Sequence, residues 1–389
     1  MKLDDFCYIN PTEKLERNQL YDFVEMADLI PGNRYVHAKT KEIFNGSYSK
    51  FTNKDVLMAK ITPCLENGKI SQYIGDNKAF GSTEFNIFRA KEGTSDPDFL
   101  YYLISSDYVK DIAVKSMTGA CGRQRANTDE IKQIEVNNIH IDIQRKIAKI
   151  LSNYDDLIDN NNKRIKILED MAQKIYKEWF VDFKYPGHET ATFKDTELGK
   201  IPSDWDVKTL NQCSKLFDNQ RKPLSSLQRS NMKGVYPYYG AAKILDYIND
   251  YIFEGKYLLL AEDGSVITEE GYPVLQFVNG KFWANNHTHI IQGIKNISTE
   301  FLYLSLAKYS IIRCITGAAQ PKINQENLNR IELIIPNDNI LIRFNNLISP
   351  IFDEIFLIEQ KQKILKQTRD LLLPRLMSSE IDIDKLEIV

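Results

Sequence analysis

Cysteine is scarce in this chain and follows no recognisable pattern. The 389 residues include five cysteines, an odd number, and no two of them form a C-x-x-C pair. A disulfide framework uses an even, regularly spaced set, and a structural zinc site uses closely spaced ligands. The scattered cysteines therefore argue against both and indicate a reducing compartment; they are Cys7, Cys64, Cys121, Cys213 and Cys314.

Long apolar runs are also absent. No stretch approaches the ~18 consecutive apolar residues that a membrane-spanning helix needs. The N-terminal segment MKLDDFCYIN has acidic residues at once and lacks the apolar core of a signal peptide. We therefore expect a soluble, cytoplasmic protein.

The motifs of nucleotide-dependent and metal-dependent enzymes are missing too. Neither a G-x-x-x-x-G-K-[ST] phosphate loop nor a G-x-G-x-x-G dinucleotide fingerprint occurs. Asn10-Pro11 is not followed by the proline and aromatic residue of an amino-methyltransferase site. His287 and His289 are the only close histidine pair, and without a third ligand we interpret them as packed or hydrogen-bonded. We predict a non-catalytic chain without a cofactor or metal of its own.

The chain has no large excess of charge of either sign. Its 50 lysines and arginines and 53 aspartates and glutamates give a formal net charge of −3, with 43% hydrophobic residues. This composition is ordinary for a globular protein, and the length suffices for two or more domains. Any basic surface must therefore be local, and a partner would supply part of the positive charge for binding a polyanion.

What the sequence does contain is one amphipathic pattern that occurs twice. Within residues 143–180, apolar residues recur at alternating steps of four and three, which keeps one stripe of a helix facing a partner helix. Adding 197 to each position gives a second such stretch within 340–377, so we predict a duplicated chain. The predicted seam positions are Ile147, Leu151, Tyr154, Ile158, Asn161, Ile165, Leu168, Ala172, Ile175 and Trp179, then Phe344, Ile348, Ile351, Ile355, Ile358, Gln362, Leu365, Arg369, Leu372 and Leu376.

We predict that the two helices pack in opposite directions as an antiparallel coiled coil. Residues whose numbers add to about 523 then meet, which places Asn161 near Gln362 within an otherwise apolar seam. Such a polar pair would fix the register and direction of the helices. The alternative is that both residues are simply exposed.

The segments that precede the two helices repeat the same landmarks in the same order. A helix expected over 99–114 and a strand-like run at 134–136 have counterparts that start near 301 and 331. The fold class is therefore predicted as α+β, with two similar globular domains joined by the helix pair and a pseudo-two-fold internal repeat. The predicted segments are a first domain at 1–140, a long helix at 141–182, a polar, turn-rich linker at 183–204, a second domain at 205–336, a second long helix at 337–378 and a tail at 379–389.

Two similar domains on a rigid spacer suit a long ligand with two separated sites, and duplex DNA is such a ligand. Each domain offers a basic stretch (33–60 and 219–245) and a glycine loop with cationic neighbours, GACGRQR at 119–125 and GAAQPK at 317–322. Lysine and arginine neutralise phosphates, whereas arginine and glutamine can form two hydrogen bonds with a base edge. For any single residue the alternative is a solvated surface position. The predicted DNA contacts are Lys39, Lys41, Lys60, Arg123, Gln124, Arg125, Arg221, Lys222, Tyr239, Lys243, Gln320 and Lys322.

The order of these motifs resembles that of the specificity subunits of type I restriction–modification enzymes. The second domain carries the likeness in KIPSDW (200–205), VYPYYG (235–240), GAAQPKIN (317–324) and IELIIP (331–336), and the second helix closes with LPRLM (373–377). In the first domain, INP (9–11) and VLMAKITPCLENGK (56–69) are similar to the same plan. That domain departs from it by lacking a Pro–Asp–Trp opening and by having GACGRQRAN in place of GAAQPKIN.

The resemblance implies two target-recognition domains, each reading one half of a bipartite, asymmetric DNA site, with the helices setting the gap. It also implies two methyltransferase subunits and further motor–nuclease subunits as partners, so that S-adenosylmethionine, ATP and magnesium belong to those partners. Three other interpretations stay open: a stand-alone pseudo-dimeric DNA-binding regulator, an enzyme with an unrecognised nuclease or methyl-transfer site, and a coiled-coil scaffold without DNA specificity.

Overall fold

The structure, a computed structural model, describes residues 1–120, 122–317, 321–378 and 380–381. The chain divides into two compact units. Unit 1 combines Met1–Arg164 with Glu359–Val389, and unit 2 is Ile165–Ile358. Among the described residues, no helix is both long enough and apolar enough to cross a membrane.

Unit 1 contains two sheets, one of five strands in the order β1-β9-β6-β7-β3 and one of four in the order β4-β2-β8-β5. The central strand β6 is buried along its whole length because its alternate side chains face two cores. Val56 and Met58 pack with the helices, and Leu57 packs with the second sheet. The strands are β1 (Cys7–Ile9), β2 (Leu20–Val24), β3 (Tyr35–Val36), β4 (Thr40–Ile43), β5 (Ser49–Phe51), β6 (Val56–Ala59), β7 (Ile70–Tyr73), β8 (Ala79–Gly81) and β9 (Phe85–Ala90).

Four short helices complete the globular part of unit 1: α1 (Leu3–Phe6), α2 (Pro97–Ser105), α3 (Asp107–Lys115) and α4 (Thr128–Lys132). The prediction of one helix over 99–114 was wrong. The chain turns at Ser106, whose hydroxyl accepts a hydrogen bond from the Val109 N–H and so begins a second helix. The first of the two helices begins at Pro97, where the Asp96 carboxylate accepts hydrogen bonds from the N–H groups of Asp98 and Phe99.

Each half of the chain contributes one long helix. Helix α5 (Ile141–Tyr176) has 36 residues and passes into a π-helical turn at Lys177–Val181. Helix α10 (Asp338–Met377) has 40 residues. Pro350 lies in the interior of α10 and is exposed.

The main sheet of unit 2 has six strands in the order β13-β18-β16-β17-β14-β15, beside the two-stranded pairs β10-β11 and β12-β19. Its strands are β10 (Phe193–Thr196), β11 (Gly199–Pro202), β12 (Asp206–Thr209), β13 (Ser214–Leu216), β14 (Lys233–Tyr239), β15 (Ile244–Ile248), β16 (Phe253–Ala261), β17 (Leu275–Ala284), β18 (Thr288–Gly293) and β19 (Glu332–Ile335). Its short helices are α6 (Leu210–Cys213), α7 (Ser226–Asn231), α8 (Thr299–Ala307) and α9 (Gln325–Asn329).

The two units share one framework, so the predicted internal repeat is present in the structure. The antiparallel order β1-β9-β6-β7 in unit 1 corresponds to β13-β18-β16-β17 in unit 2. A further strand then adds in parallel in both units, β3 beside β7 and β14 beside β17. The units differ beyond this framework, because β2, β4, β5 and β8 form a separate sheet whereas β15 extends the main sheet of unit 2.

All of the predicted seam positions of α5 and α10 are buried or half-buried, and none is exposed. In unit 1, Ile147, Leu151 and Leu376 join the core beneath the five-stranded sheet. In unit 2, Phe344 and Ile348 join the corresponding core. The alternating spacing therefore identified the packed face of both helices.

The two helices run in opposite directions, as predicted. In unit 1, Asp155 pairs with Arg369 and Asn162 pairs with Gln362, so numbers rise along one helix as they fall along the other. The Gln362 amide donates to the Asn162 side chain at 2.8 Å and to the Ile158 carbonyl at 3.2 Å. The polar pair thus involves Asn162, one residue beyond the predicted Asn161, which is buried in the seam.

The segment expected to be a polar linker is partly structured. Strands β10 and β11 form a hairpin within it, and Tyr185 and Ile201 are buried in the core of unit 2. Trp205, which we took as the start of the second domain, is fully buried against Phe180 and Tyr185. The domain boundaries given above stay a prediction.

Candidate nucleic-acid interface

The glycine loop of unit 1 is held by backbone bridges on both sides. Arg125 forms β-bridges with Thr118 at the opposite end of the loop and with Ile61, two residues after β6. The Thr62 hydroxyl accepts from the Gln124 N–H at 2.9 Å, and the Gln124 carbonyl accepts from the Thr62 N–H at 3.0 Å. Gly119 has a φ of +127°, and a Cβ there would lie 3.2 Å from the Arg123 carbonyl oxygen, so glycine is required. The backbone at both described ends of the loop is therefore fixed by hydrogen bonds.

A carboxylate on a neighbouring loop holds the cation at the end of this glycine loop. Arg125 donates from Nε and Nη2 to the two Glu84 oxygens at 2.9 and 2.6 Å. The hydrogen bond from Arg125 keeps the pKa of the Glu84 carboxyl below its usual range. Lys60 lies close enough to act in the same direction, and Arg123 is exposed. The surroundings of Glu84 are therefore cationic overall.

The described ends of the glycine loop of unit 2 repeat this arrangement. Lys322 forms bridges with Thr316 and with Asp263, as Arg125 does with Thr118 and Ile61. A carboxylate again holds the terminal cation, since Glu262 lies 3.3 Å from the Lys322 ammonium. The predicted correspondence of the two loops therefore extends to their hydrogen bonding. Gln320, the third predicted contact of this region, lies outside the described residues.

Arg221 is engaged within unit 2 rather than extended into solvent. Its guanidinium donates to Glu262 at 2.6 Å and to the carbonyls of Asp218 and Thr288 at 2.9 and 2.8 Å. Its side chain is only 13% exposed. Burial raises the pKa of Glu262, but the hydrogen bond from Arg221 and the nearby His289 outweigh it and keep that pKa low. Arg221 thus joins the glycine loop to the sheet framework through Glu262.

His289 lies at the centre of a buried ionic cluster. Its Nδ1 is 2.6 Å from an Asp218 oxygen and its Nε2 is 2.8 Å from the Ile323 carbonyl oxygen. Both neighbours are acceptors, so the ring satisfies them only when both nitrogens carry protons. Burial opposes ionisation of Asp218, but the hydrogen bond and charge of His289 bring the pKa of its carboxyl below the usual range.

Asp218, Glu262 and His289 have the composition of a metal site, with ligand atoms within 4.8 Å of one another. The cations Arg221 and Lys322 already face these carboxylates, and both nitrogens of His289 are hydrogen-bonded. Both carboxylates of the cluster are therefore already paired with cations of the same unit. His287 contacts Asp263 at 2.6 Å, so the interpretation of the two histidines as hydrogen-bonded is confirmed.

The remaining predicted contacts lie on the surface of their units. Lys39 and Lys41 are exposed and face Asp28 and Asp22 at 2.9 and 3.6 Å. Lys222 and Lys243 are exposed in unit 2, where the Lys222 carbonyl accepts from the Trp283 indole and the Lys243 carbonyl from Gly240. Tyr239 is half-buried, with its ring edge-on to Phe282. The structure brings Lys60, Arg123, Gln124 and Arg125 together in unit 1, and Arg221 and Lys322 in unit 2.

Sequence reasoning missed the two carboxylates that organise these clusters. Neither Glu84 nor Glu262 was singled out from the sequence. Glu84 is 41 residues from Arg125, and Glu262 is 60 residues from Lys322. Neither spacing follows a local period, so a single sequence carries no signal for either pair.

Comparison with known proteins identifies the architecture. The family model of the type I restriction modification DNA specificity domain matches residues 1–170 and again residues 202–367. Two sheet-containing domains with two long helices packed together are the architecture of type I DNA specificity proteins. The chain belongs to the type I restriction–modification DNA specificity family and is the non-catalytic specificity component of such a system.

Individual relatives agree with this assignment. The chain is 28% identical over 312 residues to the type I restriction enzyme MjaIX specificity subunit of Methanocaldococcus jannaschii, covering 74% of this chain and 70% of that one. It is 23% identical to the HindI specificity subunit of Haemophilus influenzae, covering 92% and 94%. The fold is similar to the crystal structure of a type I S subunit from M. genitalium, with a TM-score of 0.55, 14% identity and coverage of 97% and 95%.

Proposed function

We propose that each unit reads one half of a bipartite, asymmetric DNA site and that α5 and α10 set the unread gap between the halves. The observation that carries this proposal is a feature that both units repeat on the same sheet framework: the cation at the end of a glycine loop is bridged to the start of that loop and is held by a carboxylate. A repeated contact element at corresponding positions suits two half-sites on one duplex.

The recognition domains are proposed as residues 1–140 and 205–336, with spacer helices at 141–182 and 337–378, a linker at 183–204 and a tail at 379–389. At ~1.5 Å per residue, helices of 36 and 40 residues are roughly 54 and 60 Å long. Such lengths exceed the ~34 Å helical turn of duplex DNA, which is the usual scale for spacing paired sites. The helices are therefore long enough to determine the gap.

Within each recognition domain, the residues proposed to touch DNA differ in what they offer. Lys39, Lys41, Lys222 and Lys243 are exposed cations suited to phosphates. Gln124 has no side-chain hydrogen bond among the described residues, so its amide is available for a base edge. Lys322 and Arg221 act together through Glu262. Tyr239 offers a half-buried ring at the end of β14.

Two methyltransferase subunits are proposed to dock on the helices, and motor–nuclease subunits to join them. Support comes from large apolar side chains on α5 and α10 that remain exposed outside the seam. In unit 1 these are Ile143, Leu157, Ile364 and Leu371, and in unit 2 they are Ile167, Met171, Ile342, Leu347 and Leu357. Exposed apolar residues mark protein–protein contacts where they form a contiguous patch, and these nine residues are the candidates for such a patch. S-adenosylmethionine, ATP and magnesium are assigned to those partners, and the complex to the cytoplasm.

Methylome sequencing of a host that carries this chain with its cognate methyltransferase tests the proposal. We expect methylation at one two-part motif with a fixed gap. Insertion of seven residues, one heptad, into α5 and the matching seven into α10 should widen the gap and leave both half-sequences unchanged. An altered half-sequence with the original gap would contradict the role given to the helices.

A gel shift with the isolated chain separates this proposal from a stand-alone regulator. The modest charge of −3 predicts weak binding by the chain alone and tight binding once methyltransferase subunits enclose the duplex. Tight, site-specific binding without partners would favour the regulator.

A further inference from the structure

We propose that Arg125 reads a guanine in the half-site of unit 1 and that Glu84 is the residue that positions it for this task. This inference rests on the proposed function. It specifies which DNA base is read in one half-site, which residue reads it and which residue positions the reader. The geometry of the pair carries it.

Glu84 occupies only one edge of the Arg125 guanidinium. The Nε and Nη2 atoms donate to the two carboxylate oxygens, and Nη1 has no hydrogen-bond partner among the described residues. A guanidinium has five N–H donors in a planar fork, so the edge formed by Nη1 and the second Nη2 hydrogen stays available. That edge matches the O6 and N7 acceptors of guanine in the major groove.

The pair is accessible as well as ordered. The Arg125 side chain is 52% exposed and that of Glu84 is 23% exposed. The backbone of Arg125 is fixed by its bridges to Thr118 and Ile61. Binding a base therefore requires little further ordering of the arginine, and such preorganisation favours specificity.

Other arginines differ in ways that make Arg125 distinctive. Arg221 directs its guanidinium to acceptors of its own chain and is nearly buried. Arg330 pairs with Glu326 one helical turn away, and both side chains are about 70% exposed. The counterpart of Arg125 in unit 2 is Lys322, whose ammonium is a point charge without a planar fork. The two half-sites are therefore read by different chemistry at corresponding loops.

The test uses the chain in complex with its methyltransferase subunits and a set of duplexes that vary one base pair at a time. Arg125→Ala and Arg125→Lys should each reduce the preference for guanine at one position by ~10- to 100-fold. Glu84→Gln should reduce it at the same position by ~3- to 10-fold, and Glu84→Asp should recover part of it. Positions in the other half-site should not change.

Salt dependence distinguishes base reading from phosphate binding. Arg125→Lys and Glu84→Gln should leave the slope of log K against log salt unchanged, because no phosphate contact is lost or gained. Arg123→Ala is the matched control, since Arg123 is exposed in the same loop and its side chain has no partner among the described residues. It should reduce the slope by ~0.9 and leave the motif unchanged.

Two results would overturn the inference. One is a Glu84→Gln variant with an unaltered motif and a steeper salt slope, which would make Glu84 a competitor of phosphate. The other is an Arg125→Ala variant that reads every position as before. Failure of the proposed function is recognised separately, because the unmodified complex would then show no two-part motif. Thermal unfolding of each variant checks that the fold is retained.

Discussion

At one pair of corresponding helix positions, unit 1 has a buried ion pair and unit 2 has two apolar residues. In unit 1 the buried Arg369 of α10 donates to the buried Asp155 of α5. The repeat offset of 197 places Ala172 and Phe352 at the corresponding positions of unit 2. Phe352 packs on Phe277 with ring centroids 4.7 Å apart, and Ala172 is buried in the same core. One helix register therefore accepts an ion pair or an apolar pair.

The ion pair and the apolar pair differ in how they constrain the packing of the helices. A buried ion pair contributes little net stability relative to an apolar pair, but a partner that is lost or displaced leaves an uncompensated charge. Arg369 also donates to the Gly32 carbonyl at 3.1 Å, which ties α10 to a loop of the recognition domain. At this pair of positions, unit 1 thus uses directional contacts and unit 2 uses apolar packing.

The same contrast recurs inside the sheets. The Asn10 side-chain oxygen accepts from the Ile87 N–H in unit 1, and an Asp218 oxygen accepts from the Ile290 N–H in unit 2. Asn10 also donates to Asn86, whereas Asp218 faces His289. A neutral amide pair in one unit therefore takes the place of an ionic pair in the other.

The largest expected effect comes from breaking the ion pair on one side. Asp155→Ala leaves Arg369 charged and buried, so we expect a loss of ~3–5 kcal/mol in the free energy of unfolding of unit 1, measured by denaturant titration. The double variant Asp155→Phe with Arg369→Ala copies unit 2 and should recover most of that loss. A single variant within ~1 kcal/mol of the original chain would show that the pair is not a constraint.

A smaller effect is expected from replacing the ionic pair of the sheet with its neutral counterpart. Because the folded-state pKa of Asp218 lies below the usual value of ~3.9, its stabilisation is present above that pH and is lost as pH falls through the lowered pKa. Asp218→Asn, which copies Asn10, should lower stability at pH 7 by ~1–2 kcal/mol and remove this part of the acid-induced loss.

The pH dependence of unfolding, followed by circular dichroism between neutral and acid pH, measures this effect. Asn10→Asp is the reciprocal control, because it places a carboxylate opposite the Asn86 amide rather than a charged ring. An acid limb that is as steep in Asp218→Asn as in the original chain would contradict the assignment of this loss to Asp218.

The smallest effect distinguishes two lysines at corresponding positions. The Lys256 ammonium contacts Glu300, Asp353 and Ser349, and the side chain is 27% exposed. Within the described part of the chain, the Lys54 ammonium contacts Asp98 alone, and that side chain is 46% exposed. We expect Lys256→Ala to cost ~1 kcal/mol and Lys54→Ala ~0.5 kcal/mol or less, since solvent screens the more exposed pair. Melting temperatures compare the two, and equal shifts would remove this distinction between the units.

The sequence was sufficient where the signal was periodic. The seam from Ile147 to Leu376 was correct because each helix repeats its own local pattern. The polar pair was misplaced by one residue, from Asn161 to Asn162, because packing and not spacing sets which neighbour the Gln362 amide reaches. The break at Ser106 was missed because a capping hydroxyl in a strongly helical run looks like one more helical residue.

The site was less predictable than the fold. The cations of the glycine loops could be named from composition, but the carboxylates that hold them come from loops brought close only by the folded sheets. Arg221 shows the limit most clearly. Its position in a basic stretch predicts a phosphate contact, whereas tertiary structure surrounds it with Glu262 and the Thr288 carbonyl. The sequence around Arg221 does not indicate that its guanidinium would be surrounded by hydrogen-bond acceptors.

Unit 1 is built from two separate chain segments and unit 2 from one, which affects the order in which they fold during synthesis on the ribosome. Unit 2 is one continuous stretch, Ile165–Ile358, so it can close as soon as that stretch has emerged. Unit 1 begins earlier, yet its core includes Leu376 from the far end of α10. The core of unit 1 is therefore completed last, although most of unit 1 is translated first. Ile147 and Leu151 stay without their packing partner Leu376 until the end of α10 has been synthesised.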